Sequence, residues 1–157
     1  MNTLAKEQNN LGGIAKIWLI ASVKIPTYLY SYPRGLMQLP INWAEDAWEL
    51  TPVFQSGSYT QDMVQAPAGT YYENTVSFKI PKYTLDKRQF AADLASLLWA
   101  VLTLDQNGEF LLMGSSDYPM RVTIKVASGA DISDLNHVAV TVSGRSPILP
   151  LNIAITT

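Results

Sequence analysis

The sequence predicts an α+β fold, mostly β: a β-sandwich or barrel of about seven or eight strands with one flanking helix at about residues 84–98. Three observations carry this. Short apolar stretches alternate with polar residues at the period of a half-buried strand, as in Val76, Phe78, Ile80, then Val122, Ile124, Val126, then Val138, Val140, Val142. Only one segment has apolar residues at helical spacing: Phe90, Ala91, Leu94, Ala95 and Leu98. Strand patterns lie both before and after that segment. With 157 residues, no internal repeat and no linker, the chain reads as one domain, 1–157.

In chain order, residues 1–12 read as a polar N-terminal arm closed by Gly12-Gly13. Ile14 to Val23 is a β-branched apolar run containing Trp18, which favours a strand. Residues 24–47 form an aromatic-rich loop or edge ribbon, because Pro26, Pro33, Gly35 and Pro40 break regular structure. Ile41 to Gln55 contains one or two strands, with Pro52 confining the second to an edge or bulge. Residues 56–70 are polar and turn-rich, and read as a hairpin arm. Tyr71 to Ile80 is a strand ended by Pro81. Thr84 is the N-cap candidate of the helix, with Asp86 in its first turn. Trp99–Leu104 and Glu109–Met113 flank a hairpin turn at Asp105-Gln106-Asn107-Gly108. Strands follow at Arg121–Val126 and His137–Ser143, and 146–157 is a Pro-broken tail or final strand.

Composition narrows the function. Charged residues make up only 15% against 48% hydrophobic, and the net charge is −2. So little charge suggests that copies of the chain or partners cover part of the surface. No cysteine is present, which removes disulfides, thiolate catalysis and cysteine-ligated zinc. No apolar run is long enough to span a bilayer as a helix, and the polar N-terminus has no signal-peptide core. A dedicated nucleic-acid binder would carry a basic stripe, which is missing.

Catalytic candidates are few. His137, the only histidine, reads as a strand-edge polar residue, and one histidine cannot build a multi-histidine metal site. Asp105 to Glu109 has a partial likeness to a calcium loop, but Phe110, Leu111 and Leu112 supply no ligands, so it reads as a turn. Asp131 and Asp134 read as solvated turn residues. Ser56-Gly57-Ser58 and Gly114-Ser115-Ser116 are too short to cradle phosphate. The expectation is no enzyme, no cofactor and no metal. Aromatics crowd one third of the chain. Tyr28, Tyr30 and Tyr32 suit an interface or a core equally, while Trp48 and Phe54 read as core.

One order of segments is more specific. It comprises Leu11 to Leu19, Ser58-Tyr59-Thr60-Gln61-Asp62, Gly69-Thr70-Tyr71-Tyr72-Glu73-Asn74 and Lys87-Arg88 opening a helix. It continues through Leu104 to Gly114, Ser128-Gly129-Ala130-Asp131 and Val138 to Arg145. This order resembles the tail-tube-type structural proteins of tailed phages and prophages of Bacteroidetes hosts, over most of residues 11–145. Residues 24–47 match less well and look like a longer, aromatic-rich version of the family's loop. The resemblance implies a tail-tube-like sandwich whose subunits close into rings, sixfold or twelvefold, around a conduit for DNA ejection. The subunit would belong to the tail tube or to a neck ring of the head–tail connector. It would be assembled in the bacterial cytoplasm and located in the virion.

On that reading the partners are other copies of the chain and neighbouring tail or neck proteins. DNA passes through the lumen without specific binding, and the chain's mild acidity suits that passage. Tyr59, Thr60, Gln61, Asp62, Met63 and Val64 on the arm are the expected inter-ring contacts. Tyr28, Tyr30 and Tyr32 are the expected lateral or outer contacts. Deletion of 57–66 is then expected to stop stacking and leave the subunit folded. The alternative is a carbohydrate-binding β-sandwich using the aromatic cluster, with Tyr30 or Trp43 exposed.

Overall fold

The computed structural model describes residues 12–31, 39–81, 85–127 and 137–153. The expected cap Thr84, the turn carboxylates Asp131 and Asp134, Tyr32 and most of the N-terminal arm lie outside them. Nine strands are present among the described residues: β1 (Ile14–Ala21), β2 (Ala47–Leu50), β3 (Ser58–Ala66), β4 (Gly69–Pro81), β5 (Trp99–Asp105), β6 (Phe110–Met113), β7 (Arg121–Ala127), β8 (His137–Ser146) and β9 (Leu151–Ile153). Two helices accompany them, α1 (Trp43–Asp46) and α2 (Leu85–Ser96). The strands form two antiparallel sheets. The first has the order β2-β1-β5-β6-β9 and the second β3-β4-β8-β7. The fold is α+β, mostly β, as the periodicity predicts.

The main core lies between the sheets. Ile17, Leu19, Val101, Leu111 and Met113 of the first sheet meet Val76, Phe78, Val122, Val138, Val140 and Val142 of the second. A bulge between Ile14 and Lys16 shifts the parity of β1, so that Ile14 joins the same core as Ile17. A bridge between Trp99 and Met120 links the start of β5 to the approach to β7, closing part of the sandwich like a barrel.

The first sheet is buried on both faces. On the side away from the second sheet, Ile20, Ala100, Leu102, Leu112 and Ile153 pack with Ile25, Leu29 and Leu39 from the irregular segment after β1. That segment, expected to be a loop or edge ribbon, is a third layer. Burial on both faces explains why β5 is apolar residue after residue, while β4, β7 and β8 alternate.

Gly114, just after β6, lies where this cover meets the sheet. Its φ is +87°, and a Cβ there would stand 3.1 Å from the Ala100 Cα and the Trp99 carbonyl oxygen. Only glycine fits that approach without backbone movement.

Helix α2 completes the layer opposite the second sheet. Leu94 is buried in the main core. Phe90 and Ala91 line an apolar cleft with Ile80, Ile124, Val138 and Val140. The Trp99 indole N–H donates to the Leu94 carbonyl at 2.8 Å, fixing the helix end. The apolar stripe is narrower than its spacing predicts. Ala95 is exposed, and Leu98 lies beyond the helix and is exposed, because the helix touches the sheet along one line only.

Two further expectations are corrected and one is narrowed. The stretch expected to open with a strand at Ile41 opens instead with α1. The Asn42 side chain caps this turn by accepting from the Ala44 N–H, while the Asp46 carboxylate accepts from the Asn42 N–H. That reciprocal box was legible as an Asn followed three and four residues later by acids. Of the one or two strands expected there, one is present, β2; residues 51–57 contain no strand. Trp48 and Phe54 are not core. Trp48 is 46% exposed and leans on Phe90 with ring centroids 5.2 Å apart, and Phe54 is 81% exposed.

Candidate assembly surface

The second sheet has two long outer strands, β3 and β7, neither with a partner on its outer side among the described residues. The arm expected at 56–70 is the first of them. β3 runs along β4 for nine pairs, from Ser58–Ser77 to Ala66–Gly69, and the two-residue loop Pro67-Ala68 joins them. Only the last three pairs reach beyond the β4–β8 ladder, which stops at Tyr72–Ser146. The segment is therefore an edge strand with a short projecting tip rather than a free arm. Deleting 57–66 would strip a strand from the sheet and remove the Gly57 carbonyl that accepts the Ile14 N–H at 3.1 Å. The deletion is no longer expected to leave the subunit intact.

All six expected inter-ring residues lie on β3, and the pleat divides them. Tyr59, Gln61 and Met63 share the face of their partners Val76, Asn74 and Tyr72, the face turned toward the first sheet. They are exposed nonetheless, Met63 by 60% and Tyr59 by 41%. Thr60, Asp62 and Val64 share the opposite, solvent-facing side of the sheet with Thr75, Glu73 and Tyr71.

That solvent-facing side has a chemistry of its own. Cross-strand register aligns Ser58, Ser77, Thr141 and Thr123 in one row spanning all four strands. The next row is Thr60, Thr75, Ser143 and Arg121, and the third begins Asp62, Glu73, Arg145. Seven hydroxyl residues thus tile the middle of the face. Arg145 donates to Glu73 at 2.8 Å and lies 5.6 Å from the centre of the Tyr71 ring. Lys79, Arg121 and Lys125 stand on the same side, so this face carries four bases to two acids. The chain's mild acidity is located elsewhere. The net acidity associated above with DNA passage is not found on this face.

The expected outer contacts separate. Tyr28 is 60% exposed. Tyr30 is turned inward: it packs on the second core cluster and its hydroxyl donates to the Gly114 carbonyl. It is withdrawn from a lateral contact and serves to hold the cover. Burial pushes its phenol above the ordinary value of 10. A neutral phenol favoured by folding contributes stability below that value, and the contribution is lost as pH rises beyond it. Tyr30 is therefore expected to resist ionisation in the native state when followed by ultraviolet difference absorbance, with unfolding setting in at alkaline pH. Tyr30→Phe is expected to cost about 1–3 kcal/mol, since the Gly114 carbonyl loses its partner.

A small aromatic group sits at the rim of the first sheet. Trp18 meets Trp43 edge-on at 6.3 Å and Phe110 in a tilted contact at 5.9 Å. Glu49 accepts from Lys16 at 2.9 Å and from the Trp18 indole at 3.2 Å. The Lys16 hydrogen bond, with lesser help from its charge and the indole N–H, holds the Glu49 carboxyl below the usual range against the opposing effect of desolvation. These rings border the second core cluster and do not form a flat row.

No constellation for chemistry gathers elsewhere among the described residues. The Asp105 carboxylate accepts from the Asn107 and Glu109 N–H groups, as a turn residue does. Among those residues no group of three or more His, Cys, Asp or Glu side chains converges on a metal-sized site, and no helix among them is long and apolar enough to cross a membrane. Sequence reading missed the hydroxyl rows, because adjacency across strands depends on register and leaves no mark in any one segment. Comparison with protein-family models, curated protein sequences and solved structures gives no match.

Proposed function

We propose that this chain is a ring-forming structural subunit of a phage virion, of tail-tube or neck type, whose second sheet joins edge to edge around a DNA conduit. The observation that carries the proposal is the pair of open edges, β3 and β7, on a sheet with an even number of antiparallel strands. In such a sheet the two edges run in opposite directions. Rotation about an axis along the strands brings β7 of one copy against β3 of the next in antiparallel register. The contact is heterologous and closes into a ring when the rotation permits. Asp62 on one edge faces the same side as Arg121 and Lys125 on the other, so the edges are complementary in charge.

The hydroxyl rows suit a conduit wall. Neutral hydroxyls hydrate the middle of the face; of its four bases, Arg145 is already engaged by Glu73, and Arg121 and Lys125 lie on the edge strand β7 that would face Asp62 of the neighbouring copy. The carbohydrate-binding reading has less support, since Tyr30 is turned inward and the rings near Trp43 meet edge-on. The test is light scattering of the purified protein followed by negative-stain microscopy of the same sample. Rings or tubes with an open channel are expected. A strictly monomeric protein at high concentration overturns the proposal.

A further inference from the structure

Asn74 is the polar exception on the buried face of β4. It lies between Tyr72 and Val76 on the side facing the core and is 3% exposed. Its Oδ1 is buried and accepts no hydrogen bond from any of the described residues. Such an orphaned acceptor is costly, and native proteins generally supply a partner. Beside it is a niche with room for a single water molecule, where the three layers meet. Tyr30 enters from the cover, Asn74 from the second sheet, Met113 and Ser115 from the first sheet and the turn after it, and Ser146 and Ile148 from the link between β8 and β9.

The remaining polar groups can be assigned one by one. The Tyr30 hydroxyl gives its proton to the Gly114 carbonyl and keeps a lone pair. Thr27 has one hydroxyl proton, and its 2.6 Å contact to the Asp117 carboxylate takes it. The Ser115 hydroxyl must then donate to the Thr27 oxygen, 3.1 Å away, while receiving the Tyr118 N–H. Ser146 Oγ receives the Ile148 N–H at 3.0 Å, which leaves its own proton to give. Apart from the Asn74 amide's own N–H groups, one donor, Ser146, and two acceptors, Asn74 Oδ1 and Tyr30 Oη, therefore border a space the size of one water.

We infer that this niche holds one ordered water molecule, donating to Asn74 Oδ1 and Tyr30 Oη and accepting from Ser146. Three hydrogen bonds are the usual complement of a buried water. The water ties the cover, both sheets and the β8–β9 link together at one point.

The test is a crystal structure at a resolution that shows ordered solvent, with water relaxation dispersion on the same protein in solution. Density within hydrogen-bonding distance of Asn74 and Ser146 is expected, with one long-lived water fewer in Asn74→Leu than in the wild type. Ser146→Ala, at a half-buried position outside the main core, serves if Asn74→Leu fails to fold. It is expected to lose the same long-lived water. Three outcomes overturn the inference: a dry niche, an Asn74 amide rotated to donate to a protein carbonyl, or density with five or six short oxygen contacts, which is a cation.

Discussion

Phe78→Ala is expected to lower the unfolding free energy by about 3–5 kcal/mol. Phe78 is among the largest side chains buried almost completely, 2% exposed, and it stands in the second half of β4 opposite Val140. It fills the space between the sheets with Val76, Val101, Met113 and Val138. Truncation to alanine loses the transfer free energy of the ring. It also leaves a void that neighbours held in two hydrogen-bonded ladders can close only in part. A protein of this size has about 5–15 kcal/mol in all, so the variant loses a large fraction of it. Chemical denaturation followed by circular dichroism reads the change. Phe54→Ala is the control, because its ring is 81% exposed and a surface truncation of this kind stays within about 0.5 kcal/mol. Equal losses for the two variants would show that the core is not where these ladders put it.

Gln61→Pro is expected to abolish ring formation while leaving a folded monomer. In a two-residue hairpin the pair flanking the loop, here Ala66 and Gly69, exchanges both of its hydrogen bonds. Counting back by twos, Val64, Asp62, Thr60 and Ser58 direct their N–H groups at β4. The N–H groups of Met63, Gln61 and Tyr59 point outward, toward the proposed neighbour. Proline at 61 therefore removes an outward donor and spares the ladder that holds β3. The lost bond leaves a carbonyl of the neighbour unsatisfied at each seam, at about 1–3 kcal/mol, or roughly tenfold to a hundredfold in association. Because every seam of a ring carries the same defect, assembly collapses.

Gln61→Ala keeps the N–H and is expected to assemble as the wild type does. Asp62→Lys places a like charge opposite Arg121 and Lys125 and is expected to weaken the seam, more so at low salt. Sedimentation and thermal melting of the same samples separate lost assembly from lost folding. Rings formed by Gln61→Pro as readily as by the wild type would place the seam elsewhere.

How much of this was legible in the chain depends on what a strand touches. Val76, Phe78 and Ile80, or Val138, Val140 and Val142, alternate because one face of the second sheet is covered and the other is wet. Trp99-Ala100-Val101-Leu102 does not alternate because its sheet is covered twice. Both patterns are written locally, so the strands and the single long helix could be found from residue order alone. β3 could not be assigned in this way. Its two faces are both largely exposed, so no alternation marks it, and its polar residues read as a turn-rich arm.

The aromatics failed for a related reason. Trp48 and Phe54 carry the same hydrophobic signal as Phe78, and composition cannot tell a ring that leans on a helix or projects into water from one enclosed between sheets. Tyr30 was undecided until the segment bearing it was seen to lie over Leu102 and Leu112, which are more than seventy residues away in the chain. The sequence by itself determined which segments with a marked period are strands or helix and which of their faces carry the apolar residues, since period is a property of adjacent residues. Only the tertiary structure decided what covers each face, which edges stay open and that seven hydroxyls fall into rows. Those facts depend on register between strands distant in the chain, and no local pattern encodes them.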